Sequence, residues 1–235
     1  MKNWGLGRLF IPAMMSLVIL PLCAAQEESV PAPEDAKAIV HTQFDALFTS
    51  VTHQLTNNQE MYLSNPVAYY DFIASTVINL WDSSSTTRAL VGKSHYTKLS
   101  DQQRLSLIAA VDQTLIRYAF EGLESYGGQV FRVADVVVNE KQGMGWVQVL
   151  MESPIIPDIN LDILIKRTEA NAWQAVDIRV KGITYVAIKK HKYREILEEQ
   201  GFNALMDNLT DKNTDFFKAV CTGANNPELE GSAPC

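Results

Sequence analysis

Cysteine and histidine are scarce in this sequence, three and four among 235 residues. Neither forms a ligating pattern. There is no CxxC, no HExxH and no Cys/His cluster, so a zinc site or a thiol redox centre lacks its donors at readable spacing. GxSxG and the Cys/His signatures of acyl transfer are missing too. The stretch "TRALVGKS", Thr87–Ser94, ends like a phosphate-binding loop, but Thr87 stands where that loop needs its first glycine, and no buried strand precedes it. Basic residues are outnumbered 20 to 27, for a formal charge of −7, so the cationic excess that nucleic-acid binding requires is absent and no nucleic-acid partner is expected. After the first 25 residues no apolar run is long enough to cross a bilayer.

What is present begins with a leader. Lys2 and Arg8 precede the apolar run Leu9–Leu20, which closes on "PLCAAQ", so residues 1–25 read as a secretory signal peptide cleaved after Ala25. A lipid anchor on Cys23 is disfavoured by Leu22, where a small side chain is required. Cleavage leaves 210 residues, the size of one domain, and removes Lys2 and Arg8, taking the formal charge from −7 to −9. The exported chain keeps Cys221 and Cys235, which bracket "TGANNPELEGSAP". An oxidising compartment would join them, tying down the tail rather than holding the core; two free thiols are the alternative.

Residues 26–35 read as a linker. Ala36, Val40, Phe44, Leu47, Val51 and Leu55 then mark one face of a helix, and Asn65-Pro66 starts a second that carries Tyr69, Phe72, Ile73, Val77 and Leu80. "SDQQ", Ser100–Gln103, is a capping box opening a long helix with Ile108, Val111, Leu115, Ala119 and Gly122 in its stripe. After "YGGQ" the period changes from 3.6 to 2. Four strands are expected, at Val130–Val138, Trp146–Glu152, Ile159–Arg167 and Trp173–Lys181, with hairpin connections "NEKQGMG", "SPIIPD" and "TEANA". In the third, Ile159, Leu161, Ile163 and Ile165 alternate with Asn160, Asp162 and Lys166, so Asp162 should face solvent. In the fourth, Val176, Ile178 and Val180 oppose Asp177, Arg179 and Lys181, until Gly182 breaks the pattern and helices follow over about Thr184–Gln200 and Phe202–Phe217. The fold class is α+β: N-terminal helices, a four-stranded antiparallel sheet and C-terminal helices, with the domain at 36–218 and a tail at 219–235.

Two blocks carry a family pattern. "ALVGKSHYTKLSDQQRLSLIAAV" has Val91-Gly92, Tyr96 and Ser100–Arg104; "WQAVDIRVKGITYVAIKKHKYREILEEQGFNALMDNL" has Trp173, Asp177, Gly182-Ile183-Thr184, Lys189–Tyr193, Gly201 and Leu205–Leu209. Together they resemble the MlaC family, periplasmic phospholipid-binding proteins also described as toluene-tolerance auxiliary components. The resemblance implies an apolar cavity between the sheet and its covering helices that takes acyl chains. Its expected lining is Val91, Tyr96, Ile108, Val111 and Leu115 from the helices, Val147, Val149 and Met151, Leu161, Ile163 and Ile165, Val176, Ile178 and Val180 from the strands, and Ile183. It also implies a phospholipid shuttle with no cofactor, whose partners are an outer-membrane lipoprotein–porin complex and the lipid-binding subunit of an inner-membrane ABC transporter, keeping the outer membrane asymmetric. Two other readings of the sequence stay open: an exported hydrolase built around Asp177 with His95 or His191, and an interaction module with a solid core.

Overall fold

The computed structural model describes residues 33–224 and 231–235. The expected signal peptide and the linker as far as residue 32 lie outside the described residues. Helix α1, Pro33–Ser64, already begins inside the stretch read as linker and runs for 32 residues, about 48 Å at ~1.5 Å per residue. That length lets it serve two cores: Ala36, Val40 and Phe44 pack on the sheet, while Leu55 and Tyr62 pack among helices.

Helix α2, Pro66–Thr76, starts at a proline whose missing N–H costs nothing there, and Asn65 caps it by accepting from the Ala68 amide at 3.1 Å. After a 3-10 turn at Ile78–Leu80, α3 (Ser83–Val91) is capped by Asp82, and Gly92, at φ +83°, separates it from α4 (Lys93–Lys98). The "TRALVGKS" stretch is therefore helix, glycine, helix. Helix α5, Asp101–Glu124, has the expected capping box, with Ser100 and Gln103 bonded reciprocally.

Five strands form one antiparallel meander in the order β1 (Val130–Asn139), β2 (Met144–Glu152), β3 (Ile159–Arg167), β4 (Trp173–Val180) and β5 (Ile183–Thr184). The class is the expected α+β, with one strand more. The fifth is two residues long, too short for any periodicity to reveal, and it pairs back on β4 through the two-residue turn Lys181-Gly182. Both turn residues have positive φ, 50° and 84°, as the hairpin turn matching strand twist requires.

Gly145 belongs to β2 rather than to the turn before it, opposite Val138 and Ile165. A Cβ there would lie 2.7 Å from the Val137 carbonyl oxygen, a backbone atom that cannot step aside, and 3.2 Å from Ile165. Gly145→Ala is expected to cost about 1–3 kcal/mol, measurable as a shift of the urea midpoint at unchanged m-value.

Helices α6 (Tyr185–Glu199) and α7 (Gly201–Ala224) complete the domain. Among the described residues the buried side chains fall into three clusters. One lies between α1 and the sheet; a second holds Val91, Leu107, Val111, Tyr193, Ile196 and Leu205; a third holds Tyr62, Tyr69, Ile73, Phe120 and Phe217. Helix α5 divides its apolar residues between the last two, which is why Leu107, Ala110 and Phe120 are buried while Ile108 is only half-buried: a helix packed on two sides has no single stripe. Helix α7 continues past Phe217 to Ala224, so Cys221 sits on it and bonds to Cys235, tying the chain end to the last helix.

Candidate functional site

Strand pairing defines which residues share the α1-facing side of the sheet. From β1 these are Phe131, Val133, Val136 and Val138; from β2, Gly145, Val147, Val149 and Met151; from β3, Ile159 to Ile165 at alternate positions; from β4, Trp173, Ala175, Ile178 and Val180. The face is apolar throughout, as the alternation of β3 predicts. In β4, however, the expected set Val176–Ile178–Val180 is not one row. Ile163 pairs with Ile178 and Leu164 with Asp177, but Ile165 pairs with Ala175, so Val176 is an extra residue in a bulge and the phase changes there. The bulge has local partners: the Thr86 hydroxyl donates to the Val176 carbonyl at 2.7 Å, and the Asp82 amide donates to the Ala175 carbonyl at 2.7 Å.

Coverage of this face is uneven. At one end Val136, Val147, Ile163, Ile165, Trp173 and Ala175 are sealed beneath α1. At the other, Phe131, Met151, Ile159, Leu161 and Ile178 are half-buried and Val180 is 40 % exposed. Met151, Ile159 and Val180 belong to none of the three buried clusters. The same end gathers exposed apolar side chains, Ile155 (77 %) and Ile156 in the β2–β3 connection and Ile183 (58 %) opposite Val180. Among the described residues, Ile178 and Phe131 are the partly buried hydrophobics that pack against both the sheet core and a helical cluster, so the helical layer meets the sheet here along its margins.

The expected lining residues thus divide. Met151, Leu161, Ile178, Val180 and Ile183 come together at the open end. Val147, Val149, Ile163 and Ile165 share their face but lie within the α1-covered core. Val91 and Val111 are buried among helices in the second cluster, with Tyr96 and Leu115 packed against it, and Ile108 is outside all three. Phe131, Val133 and Ile159 stand outside the expected lining set, although Ile159 lies in the apolar alternation of β3; Ile155 and Ile156 are outside it too, although two isoleucines between prolines in "SPIIPD" are a readable sign of apolar residues with no core to enter. On the opposite face Asp162 is not free in solvent. It accepts from Arg179 at 2.8 Å, and the Arg179 guanidinium lies 4.1 Å above the Trp146 ring.

The corner after the open end is fixed by Asp177. Its Oδ1 accepts from the amides of Ile178 at 2.9 Å and Val186 at 3.1 Å, while Thr184 caps α6 through the Ala187 amide. Desolvation raises the Asp177 carboxyl above its ordinary pKa, outweighing the hydrogen bonds from Val186, Thr184, Ile178 and Tyr185 that pull it down. His95 pairs instead with Glu198 at 3.1 Å, and His191 is exposed. The Asp177–histidine grouping that a hydrolase would need is therefore not formed by these contacts. A cavity of about 1190 Å³ lies elsewhere, between α5, α7 and the disulfide-tethered tail; Ser106, Gln113, Thr210, Asn213 and Thr214 give it a mixed polar lining, and none of the expected lipid-lining residues borders it. Among the described residues no group of three His, Cys, Asp or Glu could hold a metal, and no helix is long and apolar enough to cross a membrane.

Comparison with known proteins decides the family. The family model described as MlaC protein matches residues 45–211. The chain belongs to the MlaC family. A solved structure with the same fold is a phospholipid-binding protein from Ralstonia solanacearum in complex with a phospholipid; it is 16 % identical, and the alignment covers 77 % of this chain and 98 % of that one at a TM-score of 0.62. Within the MlaC match lie all five strands and the corner built by Trp173, Asp177, Gly182 and Thr184; the disulfide lies beyond it.

Proposed function

We propose that this chain is a periplasmic phospholipid carrier, passing lipid between an outer-membrane lipoprotein–porin complex and the lipid-binding subunit of an inner-membrane ABC transporter, and so helping to keep the outer membrane asymmetric. Membership of the MlaC family and the phospholipid bound to a protein of the same fold support the reading. The observation that carries it is the half-sealed apolar sheet face: one end is a solid core beneath α1, the other is an apolar surface that the chain leaves incompletely covered.

Two acyl chains have roughly 30 methylenes, and at about 0.8 kcal/mol each their exposure to water costs on the order of 24 kcal/mol. A carrier must cover nearly all of them. In this reading the chains lie against Met151, Ile159, Leu161, Ile178 and Val180, and the helical layer moves off the sheet to admit them while the α1-covered core stays intact. Ile155, Ile156 and Ile183 form the apolar rim. Because a bilayer interior is also hydrocarbon, burial of the tails gives little net drive in either direction, and the membrane partners decide which way lipid moves. The protein performs no covalent chemistry on its cargo. The test is transfer of labelled phospholipid from vesicles to the purified protein and from it to a second vesicle population or to the transporter's lipid-binding subunit. Transfer with the lipid unaltered is expected; hydrolysis, or no uptake at all, overturns the carrier reading.

A further inference from the structure

Next to the open end of the sheet lies a small basic pocket. Ile183 closes the sheet, α6 begins two residues later, and Ile188 and Lys189 in its first turns line a cavity of about 200 Å³ shared with α5 and α7. Four cations border it, Arg117, Lys189, Lys192 and Lys212. In a chain with 27 acidic and 20 basic residues such a gathering runs against the overall charge.

Its charge is incompletely neutralised from within. Arg117 pairs with Glu121 at 3.0 Å and Lys192 with Glu195 at 3.1 Å, whereas among the described residues no carboxylate lies within ion-pair range of Lys189 or Lys212. The guanidinium of Arg117 and the ammonium of Lys189 lie 4.8 and 5.5 Å from the centre of one ring, Tyr118, which itself lines the pocket. Arg117 is oriented from beneath: its Nε donates to Oδ1 of Asn213 at 3.2 Å, and the buried Asn213 is held by the Ala110 carbonyl and the Thr114 hydroxyl. The volume lies below the ~300–1,000 Å³ of ordinary small-molecule sites. It suits a single compact anionic group.

We propose that this pocket is a phosphate-binding subsite, and that the phosphate it holds is the phosphodiester of a lipid whose tails lie on the open sheet end. The second half rests on the carrier reading above; free phosphate would present the same chemistry to the same cations. The pocket's lining begins at Ile188 and Lys189, in the first turns of the helix that follows Ile183 at the apolar rim, so an anion held there gives the site the polarity of the molecule it takes.

The test uses the full mature chain and Lys189→Gln/Lys212→Gln, with Lys189→Arg/Lys212→Arg as the charge-retaining control and circular dichroism to confirm folding. Both lysines are on the surface of helices, so the variants should fold. One arm titrates inorganic phosphate, followed by NMR at the Asn213 side-chain amide. The other compares uptake of phosphatidylglycerol and of diacylglycerol with the same tails from vesicles. The glutamine pair should weaken phosphate binding and reduce the preference for phosphatidylglycerol over diacylglycerol by about tenfold, with diacylglycerol uptake unchanged and the arginine pair near wild type. Weaker phosphate binding with unchanged lipid preference assigns the pocket to free phosphate and overturns the headgroup assignment. No change in either arm overturns the subsite altogether. If the wild type takes up neither lipid, the carrier reading fails, and the phosphate arm still decides the pocket.

Discussion

Met151→Glu is expected to leave a folded protein that no longer carries phospholipid. Met151 faces the same side as Phe131 and Ile159, its partners across the two adjoining strands, and belongs to none of the buried clusters, so the unloaded fold does not depend on it. A carboxylate placed there meets water when the site is empty but hydrocarbon when it is full. Leaving it charged beside acyl chains, or neutralising it, costs about 3 kcal/mol or more, roughly a hundredfold in occupancy. Ile163→Glu makes the contrast. Ile163 is 6 % exposed, between Val147 and Ile178 and beneath α1, so a carboxylate there should unfold the domain and report nothing about lipid. Solvent-extracted lipid per mole of protein, with a thermal melt of each variant, checks both. A folded Met151→Glu protein that keeps its full lipid complement would mean that the tails lie elsewhere.

Asp177→Ala is expected to destabilise the domain more than any other single change outside the cores. Two amides, of Ile178 and Val186, lose their acceptor at the junction of the sheet with α6. Unpaired and largely shielded, they cost about 3 kcal/mol together, which for a domain of this size lowers the melting temperature by roughly 6–12 °C. The cost should depend on pH. Burial raises the Asp177 pKa, so the folded protein holds that proton more tightly than the unfolded chain; the contribution is greatest below the unfolded value and declines as pH rises through the folded one. Urea denaturation of both proteins should therefore show a larger difference in mildly acidic buffer than at neutral pH. An equal difference at both would mean that the raised pKa has no part in stability.

The strands were legible because β3 alternates without interruption and β2 follows its phase along the whole pairing. Helix caps were legible for a similar reason: Asn65-Pro66 and Ser100-to-Gln103 act within one turn, so their chemistry is complete in a few consecutive residues. Bulges are different. The one at Val176 leaves an ordinary apolar residue in an apolar strand, and the hydrogen bonds that hold its carbonyls come from Thr86 and Asp82, some 90 residues earlier. Nothing local in "WQAVDIRV" signals that the phase changes there. The same limit governs the site. Apolar alternation shows that Ile163 and Leu161 share a face, but not that α1 seals one and leaves the other half-covered, because coverage depends on where a helix more than 100 residues away comes to rest. The basic pocket was invisible for this reason too, its four cations coming from α5, α6 and α7.

The disulfide adds a separate expectation. It lies outside the MlaC match and ties the terminal residues to α7, so Cys221→Ser/Cys235→Ser should bind lipid as the wild type does, with a stability loss no larger than the ~3 kcal/mol associated with closing a loop of this length. Loss of lipid in that variant would give the tail a part in the site.

Native mass spectrometry of the protein purified from an exporting cell without detergent shows directly whether this chain carries lipid. A dominant species heavier than the mature chain by the mass of phospholipid at near-stoichiometric ratio is expected, with that added mass missing from Met151→Glu. A wild-type protein found only at the mass of the bare chain under gentle conditions, and unable to take up phospholipid from vesicles, would contradict the carrier reading.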